Sequence, residues 1–237
     1  MENVKTNDPR DPATLRAEAT RVHDSLLDGN LAIVPLDVAY GIVGIRAAAI
    51  ERIFAAKQRS YDKPSGLFGN LDWSNALHIM PESSRAVART LLAAGLPFSI
   101  VAPFDPGHRL LAKVDPFVLQ HSSKSGTLDV LMNAGAFHNA LAQLSLEREQ
   151  PCFGSSANVS LTGSRYRLAD IDPRVREVCA VAIDHGESAY ANALGRSSTI
   201  LDFIDFKVIR HGVCFDRIAE TLRRQCGIEL AADPQAA

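Results

Sequence analysis

Within residues 31–64 the chain passes from a continuous apolar run into a tight turn and then into a helix that ends in cations. No other stretch constrains the fold as much. Leu31-Ala-Ile-Val-Pro35 reads as the end of a buried strand. A turn over 37–41 carries Gly41. From about 47 to 58, Ile50, Ile53 and Phe54 fall at i, i+3 and i+4, which places them on one face of a short helix. Lys57 and Arg59 stand at the helix exit, followed by Lys63-Pro64. Three cations beside a glycine-bearing turn suit an anion, phosphate above all. The competing reading is an ordinary solvated helix end, where the macrodipole favours positive charge.

The rest of the chain alternates in the same way. Asp11-Pro12 marks a helix start, with Leu15, Ala19, Val22 and Leu26 along one face and Gly29-Asn30 at its close. Residues 65–69 read as a short buried strand, and 73–80 fit a helix or a strand equally. A helix is expected over 81–94, with Val87, Leu91 and Leu92 inward, then a strand over 98–102. Pro106, Gly107, Pro116 and Gly126 punctuate a loop-rich stretch over 105–126. A strand over 127–132, a helix over 136–146 and a short strand over 151–154 follow. That last strand runs into Ser155-Ser156-Ala157-Asn158. A strand is expected again over 179–183, then a helix over 214–224. Strands alternating with helices indicate an α/β domain. No internal repeat or low-complexity segment interrupts the pattern.

Composition narrows the classes. At 237 residues and 46% hydrophobic content the chain can bury a real core. A formal net charge of −2 carries no global signal for nucleic acid or membrane. The four cysteines, Cys152, Cys179, Cys214 and Cys226, form no C-x-x-C, so neither a zinc site nor a disulfide framework is indicated, and cytosolic thiols fit best. The polar N-terminus has no apolar h-region, and no apolar run is long enough for a bilayer. A cytoplasmic protein with no membrane partner is therefore expected. Residues 1–12 are expected to be a flexible segment, 13–226 the domain, and 227–237 a polar tail.

Several segments together resemble the YrdC-like family, which includes the threonylcarbamoyl-adenylate synthases. The family pattern P-T-D-T-x-Y-G-L, then K-x-R and K-P, is matched by Pro35-Leu36-Asp37-Val38-Ala39-Tyr40-Gly41-Ile42, Lys57-Gln58-Arg59 and Lys63-Pro64. Ser156-Ala157-Asn158 with Ser160 and Gly163 resembles S-A-N-x-S-G. Ser197-Ser198-Thr199-Ile200-Leu201-Asp202 resembles S-T-v-v-D, and Ile209-Arg210-His211-Gly212 resembles L-R-x-G. Each motif alone is weak, and a Ser-Ala-Asn tripeptide is by itself an ordinary turn. In order, across roughly residues 20 to 220, they are specific. Three places depart from the pattern. Its threonines are Leu36 and Val38 here, and the arginine of its v-R-v-P strand is Leu131.

The resemblance implies a single-domain YrdC-like α/β fold, a twisted mixed sheet with surrounding helices and a deep concave cavity. It also implies a reaction in which an amino acid and bicarbonate form a carbamate that attacks the α-phosphorus of ATP, releasing pyrophosphate. The carbamoyl-adenylate formed serves tRNA modification. On that reading ATP, Mg²⁺ and bicarbonate are required. Lys57 and Arg59 are the catalytic candidates. Lys63, Ser156, Asn158, Ser198 and Arg210 are the nucleotide-binding candidates, and no protein metal ligand is expected. Leu36, Val38, Tyr40 and Leu131 would form the acceptor pocket, with Gly41 helping Tyr40 to shape its floor. The lost hydroxyls and cation there imply that threonine is a poor or non-preferred acceptor, and that the favoured one is less polar or presents its carboxylate elsewhere. Two alternatives stand beside this reading: the same chemistry on a non-threonine amino acid or amine, and a double-stranded RNA-binding protein of the same fold. Against RNA, the chain has no Lys/Arg run interleaved with aromatics.

Overall fold

The computed structural model describes residues 2–4 and 11–233. Strand β1 (Glu2–Val4) lies within the segment expected to be loose, while residues 1 and 5–10, and 234–237 of the tail, lie outside the described residues. Helix α1 (Pro12–Leu27) starts where Asp11 accepts a 2.8 Å hydrogen bond from the Thr14 amide and proline takes the first turn. Then come β2 (Ala32–Val34), β3 (Gly41–Gly44), α2 (Ala47–Ala56), β4 (Gly66–Phe68), α3 (Leu71–Leu77), α4 (Glu82–Ala93) and β5 (Phe98–Pro103). The second half runs α5 (Pro116–Ser122), β6 (Ser123–Lys124), β7 (Thr127–Met132), α6 (Ala136–Glu147) and β8 (Phe153–Ser156). It ends with α7 (Pro173–Arg176), β9 (Val181–Ile183), β10 (Thr199–Asp202), β11 (Val208–Arg210) and α8 (Phe215–Cys226).

The strands form one mixed sheet in the order β1-β9-β2-β3-β8-β4-β7-β5-β10-β11, with β6 paired to β7. Pairs β4–β7 and β5–β10 are parallel, whereas β3–β8, β8–β4 and β7–β5 are antiparallel. Successive side chains go to opposite sides, as the strand period requires. Leu31, Ile33, Leu67 and Val130 join one apolar cluster with Ile50 and Ile53 of α2, Leu91 of α4 and Ile218 of α8. Ala32, Val34, Phe68 and Leu131 join a second with Val22 of α1 and Phe137 and Leu141 of α6. Among the described residues no helix is long and apolar enough to cross a membrane.

Three elements depart from the sequence reading. Strand β3, read only as the end of a turn, lies inside the sheet between β2 and β8. Helix α5 interrupts the stretch expected to be loop. Asp115 caps it by accepting from the Phe117 amide at 2.8 Å, with Pro116 in the first turn. The ambiguous 73–80 stretch is largely α3, capped by Asn70 accepting from the Trp73 amide at 3.0 Å.

Candidate functional site

A cavity of about 850 Å³ opens on the side of the sheet where Phe68 and Leu131 point, large enough for a small organic ligand. Strand register builds its wall. Phe68, Leu131, Ser99, Ile200 and Arg210 are cross-strand neighbours in one row over β4, β7, β5, β10 and β11. Asp129, Val101 and Asp202 form the adjacent row, and all of these residues line the cavity. Gly154 pairs with Gly66, so no side chain rises from the wall there. A Cβ at Gly154 would stand 2.2 Å from the Ile42 carbonyl oxygen, so only glycine lets β3 and β8 approach this closely.

Of the expected residues, Lys57, Arg59, Lys63, Ser156, Asn158, Ser198, Arg210, Leu36, Tyr40 and Leu131 all line this cavity, and Val38 does not. Val38 is 1% exposed and packs in the second apolar cluster, so its missing hydroxyl is a matter of core packing. Tyr40 is also fully buried. Its hydroxyl donates at 2.8 Å to an Asp184 carboxylate oxygen and to the Gly186 carbonyl, neither of which belongs to the cavity wall. The tyrosine therefore lines the cavity with its hydroxyl already engaged elsewhere. Its amide donates to the Arg165 carbonyl, and its carbonyl accepts from the Ala157 amide.

Lys57 is 1% exposed, and its ammonium donates to the carbonyl oxygens of Ser156 and Asn158. The Lys57 carbonyl in turn accepts from the Ser160 amide at 2.8 Å. This residue thus fastens the end of α2 to the Ser-Ala-Asn turn. Burial first, and Arg59 second, bring its pKa down to about 7. The turn is also closed on itself: Ser156 Oγ donates to Asn158 Oδ1 at 2.5 Å, and Asn158 Nδ2 donates to the Val159 carbonyl. The hydroxyls of Ser155 and Ser160, by contrast, are buried in the cavity wall with no hydrogen-bond partner, as is that of Ser122.

Arg59 donates from Nε to the Lys63 carbonyl and from Nη2 to the Pro64 carbonyl, which fixes its guanidinium at the cavity wall and leaves its remaining N–H groups for a ligand. Arg210 donates from Nε and Nη2 to the Ser198 carbonyl and from Nη2 to the Ser198 hydroxyl at 3.0 Å. Protein surrounds Arg210 in the concave wall, yet its side chain stays exposed at the cavity. Lys63 and Lys124 are exposed at the mouth.

The sequence reading missed Asp129, Ser99 and Lys124. Asp129 faces the cavity between the influences of Arg59 and Arg210. Burial raises its pKa, while Arg210, the Ser99 hydroxyl and Arg59 act in the opposite direction. A signal was present: in a strand, residues 127, 129 and 131 share a face. Among the described residues, no group of three or more His, Cys, Asp or Glu is placed to hold a metal ion.

A family model, Sua5_yciO_yrdC, described as telomere recombination, matches residues 24–212. No curated protein matches the chain. Among solved structures, Sua5 of P. abyssi complexed with L-threonine is similar at 22% identity and a TM-score of 0.68. The match covers 97% of this chain and 62% of that one, so the chain spans less than two thirds of the length of that relative. A hypothetical protein of Streptococcus mutans aligns at 16% identity and a TM-score of 0.75, covering 97% of this chain and 96% of that one. YciO of E. coli aligns at 17% identity and a TM-score of 0.63, covering 89% and 94%.

Proposed function

Because the chain belongs to the Sua5/YciO/YrdC family, we propose that it is an ATP-dependent carbamoyl-adenylate synthase of the threonylcarbamoyl-AMP type. One observation carries this reading. Segments 57–63, 155–160 and 198–210, far apart in the chain, bring cations and buried unpaired hydroxyls to one wall of one cavity.

The chemical problem is an anion attacking a polyanion. An amine and bicarbonate give a carbamate and water. A carbamate oxygen then forms a bond to the α-phosphorus of ATP as the bond to the bridging oxygen breaks, and pyrophosphate leaves. The protein must neutralise phosphate charge and hold the two partners in line. Arg59 and Arg210 suit the phosphates, since a fixed guanidinium can bridge two oxygens, and Lys63 adds charge at the mouth. The hydroxyls of Ser155 and Ser160 are donors waiting for an acceptor, and phosphate oxygens would satisfy them. Lys57 acts on this reading by holding the turn rather than by touching phosphate. Mg²⁺ would be carried by the phosphates and its own waters, the usual arrangement where octahedral geometry is demanded.

Leu36, Phe68 and Leu131 give the cavity an apolar end where the acceptor would lie. The P. abyssi relative was solved with L-threonine, which makes threonine one candidate acceptor here. The activated product would supply a tRNA-modifying step in the cytoplasm. Incubation with ATP, bicarbonate and a pool of amino acids and amines, read by mass spectrometry, tests the proposal. A carbamoyl-adenylate and pyrophosphate that require both ATP and bicarbonate support it. ATP turnover indifferent to bicarbonate overturns it.

A further inference from the structure

We infer that Asp129 selects the acceptor, and that the favoured acceptor is an amine carrying a second, positively charged nitrogen and no carboxylate. The inference rests on the synthase reading above and names its substrate class. Asp129 lies in the cavity wall, and its Oδ1 is buried with no hydrogen-bond partner. The place beside it is left open by Gly66, where a Cβ would lie 3.4 Å from the Asp129 carboxylate. Among the described residues no cation stands within ion-pair distance of that carboxylate. Arg59 and Arg210 act on it through space, while their own N–H groups bond main-chain carbonyls and Ser198. The neighbours of Asp129 at the acceptor end, Leu131, Phe68 and Leu36, offer no cation to a ligand carboxylate.

Charge balance then points one way. With triphosphate bound, Arg59 and Arg210 are matched to phosphate, and the Asp129 carboxylate is left without a counter-charge. A buried carboxylate without a partner is costly, and an ammonium group supplies both the charge and the N–H donor that Oδ1 lacks. The other nitrogen, deprotonated, adds to bicarbonate as described above. A carboxylate ligand such as threonine would instead meet a like charge on an apolar background.

The test measures bicarbonate-dependent pyrophosphate release with 1,4-diaminobutane, 1-aminobutane and threonine, for the native protein and for Asp129→Asn, which keeps the shape and removes the charge. The diamine should give the highest kcat/KM. Asp129→Asn should lower that value about 30- to 1000-fold, the cost of leaving one partner of a buried charge pair alone, while the KM for ATP stays within about threefold. Threonine or 1-aminobutane leading the ranking, with the order unchanged in Asp129→Asn, overturns the inference and leaves the synthase reading intact. Calorimetric titration of 1,4-diaminobutane separates the two ideas if no acceptor is turned over. Binding that Asp129→Asn abolishes supports the subsite without the reaction, and no binding overturns the subsite.

Discussion

On the synthase reading, Arg59→Ala removes a charge-assisted contact worth about 1.5–3 kcal/mol, so ATP affinity should fall roughly 10- to 150-fold by calorimetry. Equal affinity in the two proteins would move the phosphates elsewhere. Lys57 calls for a different measurement. In the folded protein its pKa is about 7 against an ordinary 10.5, lowered mainly by burial. Between those values the unfolded chain binds more protons than the folded one, so stability should rise with pH across that interval. Urea midpoints taken near pH 7 and near pH 9 should therefore show a rise in the native protein that is smaller in Lys57→Met. The cation motif was legible in the sequence because K-x-R at a helix exit has a fixed spacing. What each cation touches was not legible, because the carbonyls that bind Lys57 lie about a hundred residues away. Asp129 was hidden for another reason: a single carboxylate in a short strand belongs to no motif, and only strand register places it on the cavity face with Leu131.

Among the elements, the β3–β8 pair has no room for added volume at Gly154. A Cβ on Gly154 meets the Ile42 carbonyl at 2.2 Å and Val43 Cγ1 at 2.9 Å, whereas one on Gly41 meets only the side-chain ends of Phe68 and Leu36, at 2.9 Å and 3.2 Å. Backbone cannot step aside as a side chain can. Gly154→Ala should thus cost at least about 1–3 kcal/mol and lower the melting temperature more than Gly41→Ala does. Helices with clear apolar periodicity, α1, α4 and α6, could be read from the sequence within a residue or two. Strand β3 could not, since Gly41-Ile-Val-Gly44 is short and framed by the residue that usually signals a turn. Its place in the sheet comes from β2 and β8, partners that local propensity does not contain. Helix α5 carried the same Asp-Pro start as α1 but was masked by the prolines and glycines around it.

At the scale of the whole molecule, an ATP concentration near a hundred times its Kd should add about 2.7 kcal/mol to stability and raise the melting temperature by roughly 5–10 °C. The α/β class was legible from alternation alone, while the location of the cavity followed from strand order and register, which are long-range properties. One feature of that order bears on how the protein comes into being. Arg210 lies on the edge strand β11, held to the rest of the sheet through β10 and β5, and it follows both Arg59 and the Ser-Ala-Asn turn in the chain. The nascent chain therefore carries Arg59 and the Ser-Ala-Asn turn before the part of the wall that Arg210 supplies exists. On the synthase reading, nucleotide would therefore act as a latch on a finished molecule rather than as a template for its folding. In stopped-flow experiments ATP should slow unfolding and leave the refolding rate unchanged, because the contacts it rewards form after the main barrier has been crossed.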